Sequence, residues 1–251
     1  MNRNDPRRRG MPRQTSEERW IQAGMVAVVV LLGFWVVGGW LSRNDPVPEL
    51  ARQLAEYSEY SIIVDDVDDG FLRNSMTLKS SYLVAGPIGE NPDEGEAAEF
   101  DEQVNTYSIS DRLVNRYERS IGMVVASKTE DGTLTGYNQS HPPYYQHVGR
   151  SQYGHFGAGG FWIFYGQYAF MRTALGGHRI NRGDYDTYVG TRNRGQPYYG
   201  PQTRGRPTFG ANGTATATTR PSFSQRYQAK QARFQARARS RAVSGGRSFG
   251  K

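Results

Sequence analysis

Residues 20–41 read WIQAGMVAVVVLLGFWVVGGWL and contain no charged side chain. A bilayer core of ~30 Å needs ~20 helical residues to cross it, and this stretch supplies them. Trp20 and Trp40 bracket it, where indoles favour the headgroup level. A helix buried in a soluble domain keeps a polar face, and this one has none. A cleaved signal peptide fits poorly. The apolar region is too long, and the following GGWLSRND offers no small-x-small cleavage site. The stretch therefore reads as an uncleaved single-pass anchor whose first partner is the lipid bilayer. Arg3, Arg7, Arg8, Arg9, Arg13 and Arg19 precede it, whereas only Arg43 follows closely, beside Asp45 and Glu49. The positive-inside rule then makes residues 1–19 a basic cytoplasmic stub and residues 42–251 extracytoplasmic.

Charge divides the rest of the chain. Residues 44–140 carry 7 basic and 19 acidic groups, and residues 141–251 carry 17 basic and 2 acidic groups. Such blocks imply either mutual attraction or two different partners. Cysteine is absent, which excludes disulfides, thiolate metal sites and cysteine nucleophiles.

The acidic block alternates short apolar runs with turns, which predicts a small α+β domain with an antiparallel sheet over residues 48–150. Asp45-Pro46-Val47-Pro48 reads as an exit linker, with Pro48 opening a helix that places Leu50, Leu54 and Tyr57 on one face. Residues 60–66 and 76–84 read as strands, 86–102 as a polar loop, and 106–109 as a short strand. Ser110 can cap a helix through Leu113, Val114 and Tyr117. Residues 121–128 and 133–137 flank Glu130-Asp131-Gly132, a hairpin signal. Asp65, Asp66, Asp68 and Asp69 invite a calcium reading. Counted back from Gly70, however, the loop pattern fails at Val67 and at Met76. An acidic strand end is the plainer reading. No His, Lys or Tyr is tied to these carboxylates by spacing, so no catalytic pair emerges.

Residues 141–160 are rich in Gly, Pro and Tyr and read as irregular. His141, His147 and His155 lack the spacing of a zinc signature. Residues 161–176 are apolar but include Gln167 and Arg172, which makes them too short and too polar for a second span. Phe161, Phe164, Tyr165, Tyr168 and Arg172 follow a helical stripe, and Trp162 joins them in the candidate interaction set. This predicts an aromatic helix that packs on the domain or lies in the membrane interface, a candidate interaction surface.

YERSIGMVVASK (117–128), PPYYQHVGRSQYG (142–154), FWIFYGQYAFMR (161–172) and PYYG (197–200) precede a basic Gly/Ser-rich tail. In the order of these pieces the chain resembles a group of uncharacterised bacterial single-pass envelope proteins. These combine a small domain, an FW-x-FYG aromatic block and a low-complexity tail. Relatives of this type are encoded beside small multi-pass membrane proteins and a spermidine-synthase-like enzyme. The resemblance implies a membrane-associated accessory subunit with no known activity.

From residue 178 to 251 large aliphatic residues are scarce. Ordering costs ~1–2 kcal/mol per residue, so a basic disordered tail is expected, apart from a possible helix at 222–242 opened by Pro221. Arg226, Arg233, Arg237, Arg239 and Arg241, interleaved with Phe and Tyr, form a candidate polyanion-binding set. For an exported tail that means anionic lipid or an acidic polymer rather than nucleic acid. Asn138-Gln139-Ser140, Asn212-Gly213-Thr214 and Arg182-Gly183-Asp184 are chance-level motifs.

The sequence thus leads to a single transmembrane helix, a small α+β domain and a disordered low-complexity C-terminal tail. The expected role is an interaction or accessory subunit of a membrane assembly, with partners among other membrane or envelope proteins. The alternatives are a protein that binds polyanions or anionic lipid through its tail, and an enzyme of unassigned chemistry. No cofactor, metal or catalytic residue is assigned.

Overall fold

Asp45 caps the first helix. Its carboxylate accepts from Val47 N at 3.1 Å, and α1 (Pro46–Gln53) starts at Pro46, two residues earlier than the expected opening at Pro48. A computed structural model describes residues 45–70, 73–85 and 98–245, with side chains omitted at Ala85 and beyond residue 240. The stub at 1–19 and the anchor at 20–41, with Trp20 and Trp40, lie outside the described residues. Among the described residues no helix is long and apolar enough to cross a membrane.

Five antiparallel strands form the main sheet: β1 (Tyr60–Asp69), β2 (Asn74–Ala85), β3 (Glu99–Ser108), β4 (Val124–Lys128) and β5 (Leu134–Thr135), in the order β3-β2-β1-β4-β5. β3 starts well before the strand expected at 106–109 and takes in the end of the expected loop 86–102. Its Glu99–Ser108 run is polar and mostly exposed, as an edge strand tolerates. Asp131 organises the β4–β5 hairpin, accepting from Thr129 Oγ1 at 2.6 Å and Thr133 N at 3.0 Å, while Gly132 takes φ 78°.

One sheet face presents Tyr60, Ile62, Val64, Val67, Met76 and Leu78 to α1 and to α2 (Asp111–Tyr117). Strict alternation from Val64 would turn Asp66 and Asp68 into this core. The register with β2 shifts between Val64 and Asp66 instead. That extra residue brings Val67 back inside and leaves the carboxylates outside.

The 161–176 stretch is not one helix. It divides into β7 (Trp162–Phe164), a 3₁₀ turn, and α3 (Ala169–Ala174), and β7 pairs with β6 (Gly154–Phe156). A Cβ at Gly154 would stand 2.1 Å from Ile163 O, so the bare glycine permits the pairing. Trp162 N also bonds Ile180 O at 2.7 Å. Cross-strand and backbone partners outweigh the helical spacing of the aromatic side chains.

The expected disordered tail is ordered over most of its length. α4 (Arg182–Asn193), the β8 (Gln202–Thr203) and β9 (Arg206–Pro207) pair, α5 (Thr214–Thr219) and α6 (Pro221–Gly245) follow. Tyr188, Tyr198 and Phe209 join Met123, Tyr145, Val148 and Trp162 in a second core cluster. The domain therefore runs well past residue 150. Rings supply the area that missing aliphatics would have given. A third cluster, with Leu83, Tyr144, Tyr153, Tyr168 and Met171, fastens the aromatic block to the other sheet face.

Candidate functional site

The four aspartates of β1 meet basic residues at and around the start of α6. At the bulge, Arg220 Nε donates to Asp65 O at 3.0 Å and its Nη2 to Asp65 Oδ1 at 2.7 Å. Arg226 Nη2 reaches both Asp66 oxygens, at 2.6 and 2.8 Å. Lys230 Nζ lies 3.0 Å from Asp69 and 2.8 Å from Glu118. Burial by itself lowers the Lys230 ammonium, but Glu118 and Asp69 outweigh it and hold it above its usual value. Phe223 and Tyr227 lie on the same helix and are buried in the first core cluster. The charge blocks thus attract one another within the chain, and at these aspartates protein cations stand where the calcium reading would have put a metal. Among the described residues no cluster of three His or carboxylate side chains could hold one.

Beside this junction an open groove of about 970 Å³ runs over the second sheet face. Ile63, Lys79 and Glu102 form its floor, Tyr144 and Phe170 one wall, and Arg220 the other. Lys79 and Glu102 pair at 2.8 Å. Tyr144 sits in the left-handed region at φ 62°, rare for a bulky side chain. That backbone turns its ring edge-on to Phe170, with centroids 5.7 Å apart. Burial raises the Tyr144 phenol, and the nearby Glu102 carboxylate adds to this. The hydroxyl therefore stays protonated. Past the groove the face lies open, with Val104 59% exposed and the Thr77 and Thr106 hydroxyls 2.9 Å apart. β3 closes the sheet, and among the described residues no strand pairs with its outer edge.

The strongest titratable networks are locked away from the groove. Glu59 is wholly buried. It accepts from Tyr153 Oη at 2.6 Å, Arg150 Nη1 at 3.1 Å and Glu130 N at 2.9 Å. Burial raises its pKa, against the pull of Tyr153, the Glu130 amide and Arg150. His147 Nδ1 stands 3.5 Å from Glu59. Burial, with Arg150 and His141, pushes His147 down to about 3. Burial also lowers the His141 pKa, against the pull of Gln139 O and Gln146 Oε1, each 3.1 Å from a ring nitrogen. His155 is exposed, so the three histidines do not converge.

A second network gathers on Asp184 in the first turn of α4. Its backbone N–H donates to the Asn181 cap at 2.8 Å. Its carboxylate accepts from Tyr145 Oη at 2.7 Å and from Tyr198 Oη, and His178 Nε2 lies 2.9 Å away. Both phenols are raised, first by burial and then by Asp184. These contacts tie α4 to the Tyr145 turn and to the chain around Tyr198. Neither network is visible in spacing, because Glu59 and Arg150 are 91 residues apart and Glu59 and Tyr153 are 94 apart. The one available signal was rarity, since residues 141–251 contain only two acidic groups, Asp184 and Asp186.

The aromatic candidates scatter. Trp162 and Tyr168 are buried, and Tyr168 Oη accepts from Ala98 N at 3.1 Å. The Phe161 ring lies under the Arg179 guanidinium at 4.2 Å. Phe164, Trp162 and Arg172 line a smaller cleft of about 320 Å³ with His178 and Arg179. Tyr165 and Phe164 pack against the third cluster. The proposed stripe is therefore not one surface, and the rings that line the groove, Phe100, Tyr144, Phe170 and Phe223, all lie outside that set. The basic candidates divide too. Arg226 is engaged with the domain, Arg233, Arg237 and Arg239 are exposed along α6, and the Arg241 side chain lies outside the described residues. Comparison of the chain with protein-family models, curated proteins and solved structures finds no match.

Proposed function

We propose that the chain is a membrane-anchored envelope protein that serves as an interaction or accessory subunit of a membrane assembly. In this reading its folded domain receives a partner segment over the open sheet face. The observation that carries this is the groove, which has an aromatic wall facing Arg220, a pair of opposite charges in its floor and, at its side, a ten-residue strand whose outer edge takes no partner strand among the described residues. A free edge offers backbone hydrogen bonds to an extended segment, and a neighbouring groove takes its side chains. The groove's charges suit a segment carrying both basic and apolar residues. Chemistry is the weaker reading, because the perturbed groups Glu59 and His147 are sealed from the groove by packing.

The test is crosslinked purification of the full chain from membranes, alongside Phe170→Ala and Glu102→Lys. A defined partner recovered with the native chain and lost with both variants, at unchanged melting temperature, is the expected result. Equal recovery from all three overturns the groove reading. Topology is tested by single cysteines placed at residues 10 and 90. Labelling from outside at 90 alone is expected, and labelling at 10 overturns the cytoplasmic N-terminus.

A further inference from the structure

Helix α6 contains a repeat. Arg226-Tyr227-Gln228-Ala229-Lys230-Gln231-Ala232 is followed directly by Arg233-Phe234-Gln235-Ala236-Arg237-Ala238-Arg239. Seven residues advance a helix ~10 Å and return to within ~20° of the same direction. Arg233, Phe234 and Arg237 therefore stand on the face already used by Arg226, Tyr227 and Lys230, one step further out. Arg239 points to the far side.

The first copy shows what this pattern binds. Tyr227 enters the core while Arg226 and Lys230 hold Asp66, Asp69 and Glu118. The second copy has the same chemistry with nothing under it. Every residue from 231 to 240 is exposed, and Phe234, at 71%, is more exposed than any other large apolar residue described. Among the described residues no carboxylate pairs with Arg233 or Arg237.

We propose that this second heptad is a docking module for an acidic protein surface on another molecule. The surface it fits has two or more carboxylates beside an apolar depression, the chemistry of Asp66–Asp69 and Glu118 in this chain. The chain's own acidic strand cannot be the occupant, because the first heptad fills it. A bilayer suits the segment less well, since one phenylalanine among alanines gives a small apolar face. A polyanion that offers no ring or apolar surface, such as an acidic polysaccharide, has no use for a ring placed between two cations on one side. The inference is independent of the groove, so either can fail alone.

Two experiments test it. Deleting residues 226–232 slides the second heptad into the place of the first, whereas deleting 226–231 puts it ~100° out of register. The seven-residue deletion is expected to melt within a few degrees of the native chain, and the six-residue deletion far below it. Equal loss in both overturns the equivalence of the two copies. Binding is then measured on the full chain with a tagged synthetic peptide of residues 60–69, YSIIVDDVDD, as the probe, and separately with phosphatidylglycerol vesicles. Phe234→Ala and the double change Arg233→Glu with Arg237→Glu should each weaken peptide binding tenfold or more. Arg239→Gln should change it less than twofold. Equal weakening by all three would indicate nonspecific polyanion attraction and overturn the proposal. So would binding to the vesicles with none to the peptide. These positions are exposed, so the variants should keep the native melting temperature.

Discussion

At the scale of single residues, His147 makes the clearest prediction. It is buried, pushed down to about 3, and its Nδ1 has no hydrogen-bond partner. An unfolded histidine takes its proton near ~6.5. Between those values the unfolded chain binds more protons than the folded one. The His147 contribution is therefore complete above pH ~6.5 and is lost as pH falls towards 3. His141 acts in the same direction. Glu59, raised by burial, acts oppositely: its contribution is present below its unfolded value and is lost as pH rises through the folded one. His147→Phe should flatten the acid limb by up to ~1.4 kcal/mol per pH unit, read from urea unfolding between pH 7 and 4. An unchanged slope would show that this histidine does not carry the dependence. Tyr227→Ala removes a ring that is 7% exposed in the first core and should cost about 2–4 kcal/mol, measurable by the same method. Gly154→Ala would force the β6–β7 pair apart at Ile163 O, with an expected loss of at least ~1–3 kcal/mol. In the sequence His147 entered only through a spacing that fails as a zinc signature, Tyr227 only as part of a thin apolar helix side, and Gly154 not at all. A histidine, a tyrosine and a glycine in a Gly/Tyr-rich stretch acquire their roles from neighbours distant in the chain.

At the scale of elements, two truncations separate structural from free segments. Ending the chain after residue 177 removes Tyr188, Tyr198, Phe209, Phe223 and Tyr227, which complete two core clusters. No cooperative unfolding transition is expected from that product. Ending it after residue 231 removes only exposed positions among those described and should leave the denaturant midpoint unchanged. If the shorter product melts cooperatively near the native midpoint, residues 178–231 are dispensable. The strands at 60–66 and 76–84, the helix start after Ser110 and the Asp131-Gly132 hairpin were legible because they are local, although the Ser110 side chain makes no capping hydrogen bond. Only the end of β3 was legible, as the strand expected at 106–109, because Glu99, Asp101 and Glu102 read as loop until β2 lies beside them. The aromatic stripe misled for the opposite reason. Its spacing suits a helix, but Gly154 and Ile180 offered the backbone better partners.

At the scale of the whole molecule, the opposed charge blocks meet at the bulged end of β1. Arg220, Arg226 and Lys230 are only partly buried there. Each pair is worth about 0.2–1 kcal/mol and is screened by salt, so the apolar contacts of Phe223 and Tyr227 carry most of the docking. Raising the ionic strength from 0.05 to 1 M should lower the melting temperature by only a few degrees. Charge reversal at Arg220, which also bonds the bulged backbone carbonyl of Asp65, should lower it more. A large salt effect would mean that charge rather than the rings holds α6.

The sequence by itself determined the membrane-anchor expectation, the charge split and the strand-and-hairpin core, since each is written in consecutive residues through length, sign or period. Only the tertiary structure decided that the basic C-terminal block is largely part of the domain. Tyr145 and Tyr198 count as core material only when their hydroxyls find Asp184, and they and Tyr188 only when their rings join Met123 and Trp162 in one cluster. Those partners are brought together by the fold of the whole chain and not by any spacing along it.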